Sequence, residues 1–269
     1  MKSSLAISLL IFFSTLSVRS QEWKKIDSVD FKVAVDQVSI DRQGNIYISN
    51  VEGAIEKYDR NGILKRHFSS NKKSKSSLIE AWQGLRVFTF YKDFQEYQLL
   101  DRLLNNSERY TLDDQKIAGF SSMATMAADN NIWLLDAQAL SLKKIDINNQ
   151  EVILETSFSL NLPSPSYDFT FMREYQNLLF IADKKSGILV FDNIGNYLET
   201  LDLGAVEHFT FNESNLVTLK GNKLLTFDIY TKLKREISLP DSSFFSFVLM
   251  ENTRVFLFSM NQLFIYELN

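Results

Sequence analysis

The chain has 269 residues, 45% of them hydrophobic, a formal net charge of −4 and no cysteine. Without cysteine there can be no disulfide, thiolate catalysis, Cys-ligated metal or lipoprotein anchor. The acidic balance argues against nucleic acid or an anionic lipid surface as the main partner.

The first twenty residues read as a leader. Lys2 is followed by the apolar run LAISLLIFF (5–13), too short to span a bilayer, and then by Val18-Arg19-Ser20. That order predicts a signal peptide over 1–20, cut after Ser20. Its removal takes away two cations and no acid, so residues 21–269 carry −6. A small residue followed at once by Gln21 resembles exported proteins of the Bacteroidetes group. No other stretch approaches the ~18 apolar residues of a membrane span. The mature chain is therefore expected to be exported, with no transmembrane segment, and periplasmic or outer-membrane-associated rather than extracellular.

Beyond the leader a repeat sets in. Short apolar strands recur at 46–48, 87–90, 132–135, 178–181, 216–219 and 255–258. Each is followed by a polar loop and a second run ending in an apolar residue and an acid. These endings are Tyr58-Asp59, Leu100-Asp101, Ile145-Asp146, Phe191-Asp192, Phe227-Asp228 and Tyr266-Glu267, at steps of 42, 45, 46, 36 and 39 residues. Six copies at this period indicate a propeller of four-stranded blades. Inner strands are expected at, for example, 35–40, 167–171 and 206–211, and outer strands at 64–68, 151–158, 197–203 and 233–239. Turns fall at DRQGN (41–45), DRNG (59–62), ADNN (128–131), DNIGN (192–196) and NESN (212–215). Asn, present 20 times against 9 Gly, takes over much of the turn duty. The repeated acids read as turn formers whose carboxylates accept backbone N–H groups two residues on.

The ends complete the ring. The sixth copy stops at 266–269, where its outer strand should begin, and the strand-like Trp23–Val29 is otherwise unassigned. Pairing it beside 263–268 leaves no open edge. The expected fold over 21–269 is one all-β domain: a six-bladed β-propeller with four-stranded blades, the last closed by the N-terminal strand. A long irregular β-sandwich would explain neither the six acids nor the missing strand.

The stretch VSIDRQGNIYISN…IEKYDRNG (38–62) resembles a blade of the NHL-type six-bladed propellers, with a fainter echo in ILVFDNIGNYLETL (188–201). It lacks the Asn-x-Arg element of that family, and the Gly-His and Trp-Asp pairs of WD40 blades are absent. The resemblance implies the fold, not an activity.

Function must then come from the loops of one face or from the channel. Tyr91, Lys92, Asp93, Phe94 and Tyr97 cluster in and around one middle-strand loop, and such aromatic patches suit protein contact. Asp136, Lys184 and Lys185 lie in equivalent loops. KKSKS (72–76) reads as a solvated loop rather than an anion site. The inner strands contribute Asp36, Glu80, Asp168, Glu207 and His208. An alternative reading, a metal-assisted hydrolase or lyase of lactonase-like kind, would gather Asp36, Asp168, Glu207 and His208 around a divalent cation at the channel mouth. His67 and His208 fall on outer and inner strands, too far apart for a two-His site. No Gly-rich phosphate loop, Gly-x-Ser-x-Gly elbow or His-Glu-x-x-His motif occurs, and no cofactor is expected. The leading expectation is a non-catalytic binding or scaffold module with a protein partner, such as an outer-membrane assembly.

Overall fold

The computed structural model describes residues 22–69, 73–113, 115–158, 162, 166–240 and 244–269. The leader-like segment 1–20 and Lys72 lie outside the described residues. Twenty-four described strands form six antiparallel sheets of four. The described fold begins with β1 (Trp23–Asp30). Blade one follows as β2 (Val35–Ile40), β3 (Ile46–Asn50), β4 (Ala54–Tyr58) and β5 (Leu64–Ser69). Blade two is β6 (Leu78–Glu80), β7 (Arg86–Tyr91), β8 (Glu96–Asp101) and β9 (Ser107–Thr111). Blade three is β10 (Met123–Met126), β11 (Ile132–Asp136), β12 (Ser141–Ile145) and β13 (Val152–Ser157). Blade four is β14 (Phe169–Tyr175), β15 (Leu178–Asp183), β16 (Gly187–Phe191) and β17 (Tyr197–Leu201). Blade five is β18 (Phe209–Asn212), β19 (Asn215–Lys220), β20 (Lys223–Asp228) and β21 (Lys234–Ser238). Blade six is β22 (Phe247–Glu251), β23 (Arg254–Phe258) and β24 (Gln262–Leu268), with β1 as its outer strand.

The N-terminal closure read from the sequence is present. β1 runs antiparallel to β24 from Trp23 opposite Leu268 to Asp30 opposite Gln262, with a bulge at Ile26. Neighbouring inner strands touch around the ring, and β22 meets β2 to complete it. Blades four and five are joined by rings: Phe171 meets Phe209 edge-on at 4.9 Å, and Tyr175 stacks on Phe211 at 4.1 Å.

Because blades stack face to face, middle strands are apolar on both sides. Every residue of β16 is buried, while β5 and β1 are mostly exposed. Each buried Phe or Leu contributes roughly 1.5–3 kcal/mol, so the middle strands hold most of the stability. Gly187 opens β16 at φ +110, and a Cβ there would meet the Leu201 carbonyl at 2.2 Å, so no other residue fits.

The recurring acids are turn formers. Asp59 Oδ1 accepts the N–H groups of Asn61 and Ile63 at 2.9 and 3.0 Å. Asp101, Asp146, Asp192 and Asp228 each repeat this with the N–H two residues on. The Ser214 hydroxyl, then the Thr231 N–H, hold Asp228 down to about 2. The sixth acid, Glu267, differs: it takes the Thr253 hydroxyl and pairs with Arg254.

Two inner strands depart from the expected limits. β14 starts later than 167 and continues through Arg173 and Glu174 to Tyr175, and β18 begins only at Phe209. Charged residues look like a strand end in sequence, but here both are buried, at 3% and 2% exposure.

Candidate binding sites at the two mouths of the channel

Inner strands deliver a polar residue to the axis after an apolar one: Ser39, Glu80, Thr125, Arg173 and Thr210, all buried. Arg173 Nη2 donates to Ser39 Oγ at 3.3 Å, and because blades one and four stand opposite each other, this bond crosses the axis. Glu80 lies 4.0 Å from Arg173 Nε. The Glu80 carboxylate accepts from the Thr125 hydroxyl at 2.7 Å, the Met126 N–H and the Trp82 indole N–H. Burial pushes the Glu80 carboxyl upward, opposed by the Arg173 charge. This knot divides the channel into an upper and a lower mouth.

The upper face carries the loops entering inner strands and the loops joining second and third strands. Its mouth is a cup of about 880 Å³ walled by Phe171, Leu219, Phe245 and Phe247, with Glu207 and Lys220 among its polar lining. Phe244 also lines it and is 86% exposed. Beside it, a shallower groove of about 500 Å³ is lined by Phe31, Phe244 and Met260.

His208 lines the cup. Its ring lies 4.3 Å from Phe171 and meets Phe247 edge-on at 5.1 Å. Neither ring nitrogen has a hydrogen-bond partner among the described residues. Burial first, and the Arg173 charge second, push the imidazole down to about 3. The folded ring thus stays neutral while the unfolded one takes a proton below about 6.5. The stability tied to a neutral His208 is intact above that pH and drains away as the pH falls toward 3. Between pH 7 and 4.5 the wild type should lose about 2–3 kcal/mol through this residue. His208→Gln should show a correspondingly flatter pH dependence in urea melts. Parallel curves for the two proteins would dismiss the imidazole as their cause.

The sequence-derived contact residues are only partly accessible. Lys92, Asp93 and Phe94 form a short 3-10 turn at the upper face, and Phe94 is 43% exposed. Tyr91 and Tyr97 are instead packed inside. Arg109 covers the Tyr91 ring at 4.1 Å, and Tyr97 stacks between Phe88 and Tyr110. Both belong to the hydrophobic interior because their strands are buried on both faces. Asp136 is occupied by the N–H groups of Phe120, Gln138 and Ala139. Lys184 pairs with Glu207 at 2.9 Å, and Lys185 donates to Ser166.

The alternative metal set is not brought together. Glu207 is engaged by Lys184, Asp168 is exposed, and Asp36 is pushed up to about 6, by burial foremost, with Lys75 opposing. Among the described residues no three His, Asp or Glu side chains converge as a metal would require. His67 is exposed on β5, between Glu56 and Ser69.

Sequence reading missed Arg173, Thr210, Trp82 and Phe244. One signal was present: an apolar residue followed by a polar one recurs at Val38-Ser39, Ile79-Glu80, Ala124-Thr125, Met172-Arg173 and Phe209-Thr210.

No protein-family model and no curated protein matches the sequence. Solved structures do match. Virginiamycin B lyase from Staphylococcus aureus superposes with a TM-score of 0.64 at 11% identity, over 92% of this chain and 100% of that one. The β-propeller domain of Cps50 (Swd1) from Myceliophteria thermophila gives 0.62 at 12% identity, over 92% and 100%. BamB from Moraxella catarrhalis gives 0.51 at 12% identity, over 91% and 100%. At such identities the likeness is one of fold. An enzyme stands beside proteins of other names in this set, so activity does not follow from it.

Proposed function

We propose that this protein is a non-catalytic binding module of the bacterial cell envelope that receives a protein partner on its upper face. The observation that carries the reading is the apolar cup flanked by Phe244, which is 86% exposed, and by Met260, which is 70% exposed. Exposed aromatic side chains beside a concave apolar wall are the features from which interface anchors are built. Phe94, with Lys92 and Asp93, adds a second contact point on the same face. The cup's one histidine is neutral and wedged against two phenyl rings, a poor arrangement for proton transfer. The envelope setting rests on the leader-like residues 1–20.

Capture from envelope extracts, comparing wild type with Phe244→Asp and Phe94→Asp, tests this. Phe244→Asp should weaken capture of the principal partner by about tenfold or more, the loss expected of an anchor side chain. Phe94→Asp should give a smaller loss. Equal recovery of every protein by all three forms would remove the upper face from the account.

A further inference from the structure

The lower mouth, on the opposite side of the Arg173 knot, is a separate funnel of about 530 Å³. Arg173 and Thr210 line it and are exposed by only 3% and 0%. Thr210 Oγ1 and Arg173 Nε both lack a hydrogen-bond partner among the described residues. Among the described residues, the one hydrogen bond of the Arg173 guanidinium goes to Ser39, and Glu80 stays at 4.0 Å with its own oxygens already engaged. A buried cation and a buried hydroxyl thus line the same funnel with hydrogen-bonding capacity unspent.

The wall of the funnel is aromatic. Trp82 and Tyr175 stand 5.2 Å apart at an interplanar angle of 55°. Tyr175 is backed by Phe211, and Arg42 covers the Trp82 ring at 5.0 Å. Acids also line the mouth. Asp41 is occupied by its own turn and by Lys57. Glu251, 3.5 Å from Arg60, keeps its Oε2 without a hydrogen-bond partner among the described residues, so Glu251 and Glu213 are the acids an anion must pass.

We propose that the lower mouth binds a small carboxylic acid with a planar or ring body. Its carboxylate takes N–H groups of Arg173 and the hydroxyl proton of Thr210, while its ring packs on Trp82 and Tyr175. Arg is suited to this because its guanidinium presents several donors in a fixed plane to both carboxylate oxygens. The site is independent of the upper face, so it stands or falls apart from the partner-binding reading.

Titration calorimetry and ligand-observed NMR with benzoate, its neutral analogue benzamide, and Gly-Gly-Phe with a free or amidated C-terminus supply the test. The acid forms should bind about tenfold or more tightly than the amides. Benzoate binding with little binding of the tripeptide acid marks the source as a free organic acid, and the reverse marks a peptide end. Thr210→Val preserves shape and removes only the hydroxyl, so it should fold normally and weaken acid binding about fivefold or more. Arg173→Lys keeps the charge but loses the planar fork and should weaken it further. Capture of proteins on the upper face should be unchanged in both variants. Equal binding of acids and amides, affinity unmoved by Thr210→Val, or no binding of either acid at millimolar concentration would overturn the proposal. In those cases the unpaired groups serve only channel water.

Discussion

Deleting Glu22–Asp30 should lower the stability of the protein by about 5 kcal/mol, a third or more of what a typical domain has in total. The side chains of β1 are not the source, since most are exposed. The loss comes from the backbone ladder with β24, seven paired positions long, at about 1 kcal/mol per hydrogen bond. Trp23 adds an indole bond to the Ser238 carbonyl of blade five, 2.7 Å long, and an edge-on contact with Tyr266 at 5.6 Å. For a chain of this size the melting temperature should fall by roughly 10–20 °C. The shortened protein should also self-associate, because β24 becomes a bare edge beside apolar neighbours. Calorimetry and light scattering on the two forms check this. A truncated protein that melts within a few degrees of the intact one, and stays monomeric, would show that the closure carries no stability.

Glu80→Leu should be nearly as damaging. It removes the only acid among the described residues within 4.0 Å of Arg173, and it leaves a guanidinium exposed by 3% at the axis. It also leaves the Trp82 indole N–H and the Thr125 hydroxyl without their acceptor. Breaking a buried pair in this way costs about 3–5 kcal/mol. The double variant Glu80→Leu/Arg173→Met should recover much of that loss, because an apolar pair of similar volume carries no desolvation penalty. Urea melts of the four corners of this cycle measure the coupling. A double variant as unstable as the sum of the singles would mean that Arg173 and Glu80 act separately.

The fold was legible in the sequence because its signals are local and repeated. Each acid such as Asp59 or Asp192 needs only the next few N–H groups to do its work, so its spacing records the blade period directly. The closing strand was legible by elimination, as the sixth copy lacked a partner. The binding sites were less so, for a geometric reason. Ser39 and Arg173 meet across the axis although they are far apart in the chain, and no short motif can announce such a pair. Tyr91 and Tyr97 flank a loop and looked like its surface, yet both lie in strands packed on two sides. Phe244 sits among serines in a loop with no regular pattern, and only its exposure reveals it.

The ladder between β1 and β24 also has a consequence in time. Its two strands are the first and last of the described fold, so synthesis makes one long before the other exists. Five blades can pair locally as they emerge, each from neighbouring segments, while Trp23–Asp30 must wait. Joining it to Gln262–Leu268 closes a loop that contains every other strand of the described fold, a step whose entropic cost is met only at the end. Until then a nearly finished ring stays open along one seam. The hazardous interval for this protein therefore falls late, when almost all of it is already folded, and a chaperone that guarded it would have to recognise an incomplete sixth blade rather than an unfolded chain.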